Sequence, residues 1–248
     1  MAEEIWGKIP VHPDERKFLA GPHPRGSELL RVMRIAWEFI RGFRKLHFVG
    51  PCVTVFGSSK FKEGHPYYEQ ARELGRLLAM EGFTVMTGGG PGIMEAANRG
   101  AKEAGGRSIG CNITLPEEQK PNPYLDEWIT FRYFFVRKVM LLKYSYAFVS
   151  CPGGLGTMDE TFEALTLIQT RKIRDFPVLL MGQDFWLPLL DYMRNTFLGH
   201  RTVEPEDLEY LMLVDSAVQA TEIIRDIAIP KFGLTYLPRP KRRRLLCE

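Results

Sequence analysis

Apolar residues recur along this chain with two different periods. Ser27 reads as an N-cap. Behind it Leu29, Leu30, Met33, Trp37, Ile40 and Phe43 fall at helical spacing, which predicts a long amphipathic helix ending before Gly50. A stripe this wide is usually core; in an extension it can instead be an oligomer contact. From residue 52 the pattern changes to short, nearly all-apolar runs: CVTVFG over 52–57, FTVMTGGG over 83–90, RSIGCNI over 107–113, EWITFRYF over 127–134, SYAFVSC over 145–151 and, as a last strand, FPVLLM over 176–181. Amphipathic stretches predict helices over 66–81, from Pro91 onward, ahead of the fifth strand, and over 157–170, 184–197 and 215–228. Such alternation predicts an α/β fold: a doubly wound, Rossmann-like parallel sheet with helices on both faces and right-handed crossovers.

The division expected is an arm and helix over 1–50, a Rossmann-like domain over 51–229 and a tail over 230–248. Residues 1–26 carry Pro10, Pro13, Pro22 and Pro24 with little periodicity and read as an extended arm. The closing PRPKRRRLLCE reads as a basic, solvated tail.

Composition narrows the class. The 248 residues are 45% hydrophobic and 25% charged, ordinary for a soluble globular protein. A net charge of +3 does not point to nucleic acid. No apolar run approaches the roughly 18 residues that span a bilayer. The start MAEEIWGKIP lacks a signal-peptide core, so a cytoplasmic protein is expected, with neither membrane nor nucleic acid as partner. Cys52, Cys111, Cys151 and Cys247 are far apart, and the five histidines form no HExxH. Reduced thiols, no metal site and no cofactor are expected.

The candidate chemistry lies in three glycine loops at strand ends: Gly57, Ser58 and Ser59; Gly88, Gly89, Gly90, Pro91 and Gly92; and Pro152, Gly153, Gly154, Leu155, Gly156 and Thr157. In open parallel sheets, ligands bind beyond the carboxyl ends of the strands. Glycine lets the backbone approach closely, successive N–H groups converge on an anion, and the following helix adds its positive end. Thr157 can add a hydroxyl. GGGPGIM lacks the G-x-G-x-x-G spacing, and no GK[ST] follows, so a nucleoside monophosphate fits better than a dinucleotide or a triphosphate.

Carboxylates follow the third loop. Asp159 and Glu160 read as first-turn residues, where a carboxylate favours the dipole. That role suits Asp159. Glu160, three residues beyond Thr157, reads either as a capping-box glutamate or as a base facing the ligand; Glu163 falls on a neighbouring position. Arg137 and Lys138 at the head of the helix before the fifth strand oppose the macrodipole, which points to an anion or carboxylate partner. Cys151 invites a nucleophile reading, but a buried strand-end cysteine is the commoner case.

GGGPGIMEAANRGA, the Arg137 and Lys138 pair, and PGGLGTMDE together resemble the LONELY GUY family. Its signature PGGxGTxxE is matched at every fixed position from Pro152 to Glu160, and the likeness runs over residues 50–200. The terminal extensions are similar to those of the family's longer members. The resemblance implies a phosphoribohydrolase that cleaves the N-glycosidic bond of nucleoside 5′-monophosphates, cytokinin riboside monophosphates or AMP, to the free base and ribose 5-phosphate. It also implies Arg137 and Glu160 as the catalytic pair. Gly153, Gly154, Gly156 and Thr157 would be the phosphate segment, with Lys138, Thr166 and Glu118 as substrate contacts. Ser58, Gly89 and Gly90 join the candidate site from the other two loops. Family members pair, so a homodimer at least is expected, up to a hexamer, with the site near the subunit interface. Such sequences also carry the label lysine decarboxylase, yet nothing here resembles a pyridoxal site. The competing readings are a nucleotide sensor or carrier without catalysis, a broad nucleotide salvage nucleosidase, and a scaffold.

Overall fold

A computed structural model of the chain describes residues 25–115, 120–174 and 176–232. Seven parallel strands form one sheet: β1 (Cys52–Phe56), β2 (Thr84–Thr87), β3 (Ser108–Ile113), β4 (Glu127–Phe131), β5 (Ser145–Ser150), β6 (Val178–Met181) and β7 (Leu211–Val214). Their spatial order is β4-β3-β2-β1-β5-β6-β7. The described helices are α1 (Arg25–Leu46), α2 (Pro66–Met80), α3 (Ile93–Glu103), α4 (Phe134–Tyr144), α5 (Leu155–Gln169), α6 (Gln183–Tyr192), α7 (Pro205–Glu209) and α8 (Ala217–Phe232). A π-helical segment, Met193–Leu198, continues α6.

The sheet is doubly wound, as its apolar runs predict. In β1, Cys52 and Phe56 pack into one layer with Leu46, Met140, Ala164 and Trp186, from α1, α4, α5 and α6. Val53 and Val55 pack into the other with Leu74, Ala97 and Ile224, from α2, α3 and α8. A strand covered on both faces has no solvent side, so its sequence shows no polar alternation. No helix among the described residues is long and apolar enough to cross a membrane.

Five expectations need correction. The strand at 176–181 is not the last: β7 follows at the sheet edge, paired with β6 alone. Its four residues, LMLV, are half-buried at Met212 and Leu213 and sit amid polar sequence that does not set them apart. Ser27 is not an N-cap, because Arg25 and Gly26 are already helical. The stripe on α1 is not core: Leu30 is 71% and Trp37 61% exposed. The opposite face docks instead, through Ile35, Phe39, Gly42 and Leu46. A side chain at Gly42 would press on Met140 and Phe131, and Arg41 and Lys45 donate to the carbonyls of Thr130 and Trp128 along β4. The fourth strand ends at Phe131, and Phe134 opens α4. Finally, α5 begins at Leu155, two residues earlier than the pattern suggests. Thr157 is therefore inside the first turn, while Asp159 and Glu160 lie beyond it, and no capping box forms. Residues 1–24 and 233–248, with the arm, most of the tail and Cys247, lie outside the described residues.

Candidate functional site

The strand order reverses at β1, which has β2 on one side and β5 on the other. Such a switch point opens a crevice at the carboxyl ends of the strands. The three glycine loops meet there. The Ser58 amide donates to the Pro152 carbonyl at 3.0 Å, Cys151 N to Phe56 O at 2.9 Å, and Ile93 N to Ser58 O at 3.0 Å. Ser58 thus spends its amide and carbonyl in joining loops, and its Oγ accepts from Lys60 N at 3.1 Å. Gly92 has φ 72°, and any Cβ there would collide with the Ser58 carbonyl, so the first and second loops can cross only over a glycine.

The second loop is held by a buried polar network that sequence reasoning missed. Gly89 N donates to Thr87 Oγ1 at 2.9 Å. Gly89 O accepts from Asn122 N at 2.9 Å and Gly90 O from Asn122 Nδ2 at 3.1 Å. Thr87 Oγ1 donates to Asn98 Oδ1 at 2.6 Å, and Asn98 Nδ2 to Ser108 Oγ at 2.7 Å. The available signal was Asn98 itself, a polar residue on the buried face of IMEAANRGA. Buried amides are retained where their bonds are satisfied.

In the third loop, a Cβ on Gly153 would collide with the Thr157 side chain, so the chain's own packing explains that glycine. Gly154 and Gly156 differ. A Cβ on either would meet nothing within 4 Å, and Gly154 has an ordinary φ of −95°. Among the described residues nothing demands glycine at these two positions, whereas a ligand lying on the backbone would. The Leu155 and Gly156 amides open α5 at its positive end with no intrahelical acceptor, whereas Thr157 N and Met158 N already donate to Gly154 O at 3.0 Å. Thr157 is buried among them, and Leu155 stands 89% exposed between the two glycines.

Arg137, on the first turn of α4, and Glu160, on α5, meet beside this loop. Arg137 Nη2 donates to Glu160 Oε1 at 3.0 Å, with side-chain exposures of 13% and 4%. Burial pushes the Glu160 carboxyl above the ordinary 4.5. Arg137 and then Lys138 pull it down, and Glu163 and Asp159 push it up. Arg137 Nε is buried with no hydrogen-bond partner among the described residues, and the guanidinium lies 5.7 Å from the Phe134 ring centroid. An orphaned buried donor is costly unless something else accepts from it.

Lys138 Nζ lies 2.9 Å from Asp159 Oδ2 and 2.9 Å from Glu163 Oε2. The two cations that oppose the α4 dipole thus find carboxylates on the next helix. Asp159 is there an ion-pair partner, not a first-turn dipole residue. Thr166 is exposed, its Oγ1 donating to Phe162 O at 2.8 Å. Glu118 lies outside the described residues. Cys151 is fully buried and its thiol is pushed up to about 12 by that burial, which makes it a poor nucleophile.

Comparison with known proteins finds relatives of this chain. The family model described as "Possible lysine decarboxylase" matches residues 94–224, more than half of the chain. A pyrimidine/purine nucleotide 5′-monophosphate nucleosidase of Escherichia coli is 27% identical over 205 residues, covering 77% of this chain and 44% of the relative. The chain thus spans less than half the length of that relative. A cytokinin riboside 5′-monophosphate phosphoribohydrolase of Rhodococcoides fascians is 30% identical over 149 residues, 58% of this chain and 74% of the relative. Among solved structures, the molybdenum cofactor carrier protein of Chlamydomonas reinhardtii superposes with a TM-score of 0.53 at 25% identity, over 72% of this chain and 98% of the other.

Proposed function

The chain belongs to the family described as possible lysine decarboxylase, the LONELY GUY family of the signature above, and from that premise we propose that it hydrolyses the N-glycosidic bond of nucleoside 5′-monophosphates. The observation that carries this reading is the buried Arg137–Glu160 pair beside a glycine loop whose Gly154 and Gly156 have no internal reason to be glycine. A mere binder has no need of a buried carboxylate next to a phosphate cradle.

The 5′-phosphate sits on the amides of residues 153–156 and the Thr157 hydroxyl, which fixes the ribose with its anomeric carbon near Glu160. As the C1′–N bond breaks, the sugar becomes oxocarbenium-like. By analogy with O-glycosidases, the Glu160 carboxylate stabilises that charge or takes a proton from the attacking water. The water oxygen bonds to C1′, and the bond pair leaves with the base nitrogen, which is protonated. Arg137 orients Glu160 and offers its unpartnered Nε to the substrate. The products are the free base and ribose 5-phosphate.

Two named activities among the relatives fit this chemistry: broad pyrimidine/purine nucleosidase and cytokinin riboside monophosphate hydrolase. The first favours a salvage role with relaxed base choice, the second a hormone-activating one. Chromatography of products after incubation with AMP, CMP, GMP and isopentenyladenosine monophosphate separates them by rank order. If every nucleotide binds and none yields a free base, the carrier reading replaces the enzyme.

The expected assembly is a dimer or larger. The exposed Met33, Trp37 and Ile40 on α1 and the exposed Phe135 and Val139 on α4 are apolar surfaces of two helices joined by packing and by Tyr144 Oη donating to Phe43 O at 3.2 Å. A second copy of the chain, laid over both beside Arg137, is the occupant we assign to them.

A further inference from the structure

We infer that Asn122 is a positioning residue for the crevice: it holds the Gly89–Gly90 peptide with its carbonyl turned toward β3, so that the Gly90 N–H faces the ligand. This rests on the reading of the crevice as a nucleotide site.

A peptide between glycines can turn over with little steric cost, and a turned peptide presents its carbonyl oxygen where its N–H had been. Before an anion the two orientations have opposite sign. Gly89, with φ 75°, sits in such a loop, and Asn122 fixes the choice. Its N donates to Gly89 O at 2.9 Å, and its Nδ2 to Gly90 O at 3.1 Å. Nδ2 also donates to Asn98 Oδ1 at 3.0 Å, and Oδ1 accepts from Tyr124 N at 3.1 Å. Both side-chain amide hydrogens are thereby engaged. Asn98 is itself held by donating to Ser108 Oγ, so the Asn122 amide has one orientation. Asn122 is buried, and water competes little for these bonds.

The sheet order supplies the direction. Asn122 belongs to the connection from β3 to β4, and β3 flanks β2 on the side away from β1. The Gly89 carbonyl is drawn to that side. In a planar trans peptide the N–H points opposite to the C=O, so the Gly90 N–H is directed toward β1 and the other two glycine loops. Gly90 is buried, and among the described residues none accepts from its N–H. A buried backbone donor is normally paired. Its neighbours have nothing to offer in its place: Gly89 N donates to Thr87 Oγ1, Pro91 has no N–H, and Ile93 N donates to Ser58 O. Gly90 thus supplies the donor, and Gly89 supplies the carbonyl by which it is aimed.

The test compares the wild type with Asn122→Ala and with Asn122→Asp, which keeps the shape but loses both Nδ2 donors. Thr54→Val is the control: it breaks a buried 2.6 Å bond to Ser145, at the opposite end of the sheet from the crevice. Three quantities are measured: AMP affinity by calorimetry, KM and kcat for AMP, and the Gly90 amide resonance in protein labelled with nitrogen-15 glycine, assigned with Gly90→Ala. In the wild type, AMP should move the Gly90 amide downfield. Both Asn122 variants should lose that shift and raise Kd and KM about tenfold, the scale of one lost hydrogen bond to a charged group, with kcat kept within about threefold. Thr54→Val should lower the melting temperature and leave KM unchanged. A Gly90 amide unmoved by saturating AMP in the wild type overturns the inference, as does a KM in the Asn122 variants no higher than in Thr54→Val. If the wild type binds AMP with the Gly90 shift yet releases no adenine, the hydrolase reading fails and the positioning role of Asn122 stands.

Discussion

In the proposed reaction Glu160 is the residue on which the chemistry turns, and its surroundings pull its ionisation both ways. Burial raises its pKa above 4.5, and Arg137 and Lys138 oppose the rise. In the proposed mechanism the carboxylate is the active form, so protonation should remove activity as pH falls. The raised pKa moves that loss to higher pH than an ordinary glutamate would give. A pH profile of kcat/KM should therefore show an acidic limb with its midpoint above 4.5. A limb at or below that value would mean that Glu160 is not the group titrating. The glycines separate in the same way. Gly154→Ala and Gly156→Ala should leave thermal stability unchanged while weakening AMP binding, because the added methyl meets nothing within 4 Å in the described chain and, on the proposed reading, would stand against the bound phosphate. Gly153→Ala should lower the melting temperature, because its methyl meets Thr157. Equal stability loss in all three would point to a structural role for the whole loop. The sequence already displayed these residues, since loop glycines and a misplaced cation pair are visible without coordinates. Which partner each cation takes was not visible, because it depends on the rotation of α5 against α4.

At the scale of elements, α1 does more than extend the fold. Glu38 Oε1 accepts from Arg132 N at 3.0 Å and Oε2 from Tyr133 N at 3.4 Å, just ahead of α4. The residue at that helix's own N-cap, Tyr133, makes no side-chain cap. A carboxylate from α1 thus caps the helix that carries Arg137. Glu38→Ala should lose about 0.5–2 kcal/mol of stability, as lost caps do, and reduce kcat through a looser Arg137. Glu38→Gln, which keeps an acceptor, should recover much of both in denaturation and kinetics. Retained kcat in Glu38→Ala would show that α4 holds its start without α1. This contact also explains why the fourth strand stops at Phe131 although apolar sequence continues to Phe135: tertiary capping overrides a local β pattern. The inner strands were legible because their both-sided burial removes polar positions. The edge strand β7 was not, because it is only half-buried at Met212 and Leu213 and stands amid polar sequence with no glycine loop to mark its end.

At the scale of the whole molecule, the sheet brings loops distant in sequence to one crevice. That convergence followed from the parallel order alone, since every strand end with a glycine loop faces the same edge. The α1 stripe is where sequence periodicity misled: it marks an apolar face correctly, but not whether this chain covers it. Met33→Glu combined with Trp37→Glu should reduce the molar mass measured by light scattering from a dimer or larger species to a monomer, with the fold kept. A wild-type monomer would assign the stripe to a different partner.

The most direct test of the account asks whether Glu160 performs the chemistry in a site that still binds. AMP affinity by calorimetry and adenine release by chromatography should be measured side by side for the wild type and Glu160→Gln. The account predicts free adenine and ribose 5-phosphate from the wild type, with turnover about 10²- to 10⁴-fold lower in the variant and affinity for AMP retained. Equal loss of affinity and turnover, or adenine release undiminished in Glu160→Gln, would contradict it.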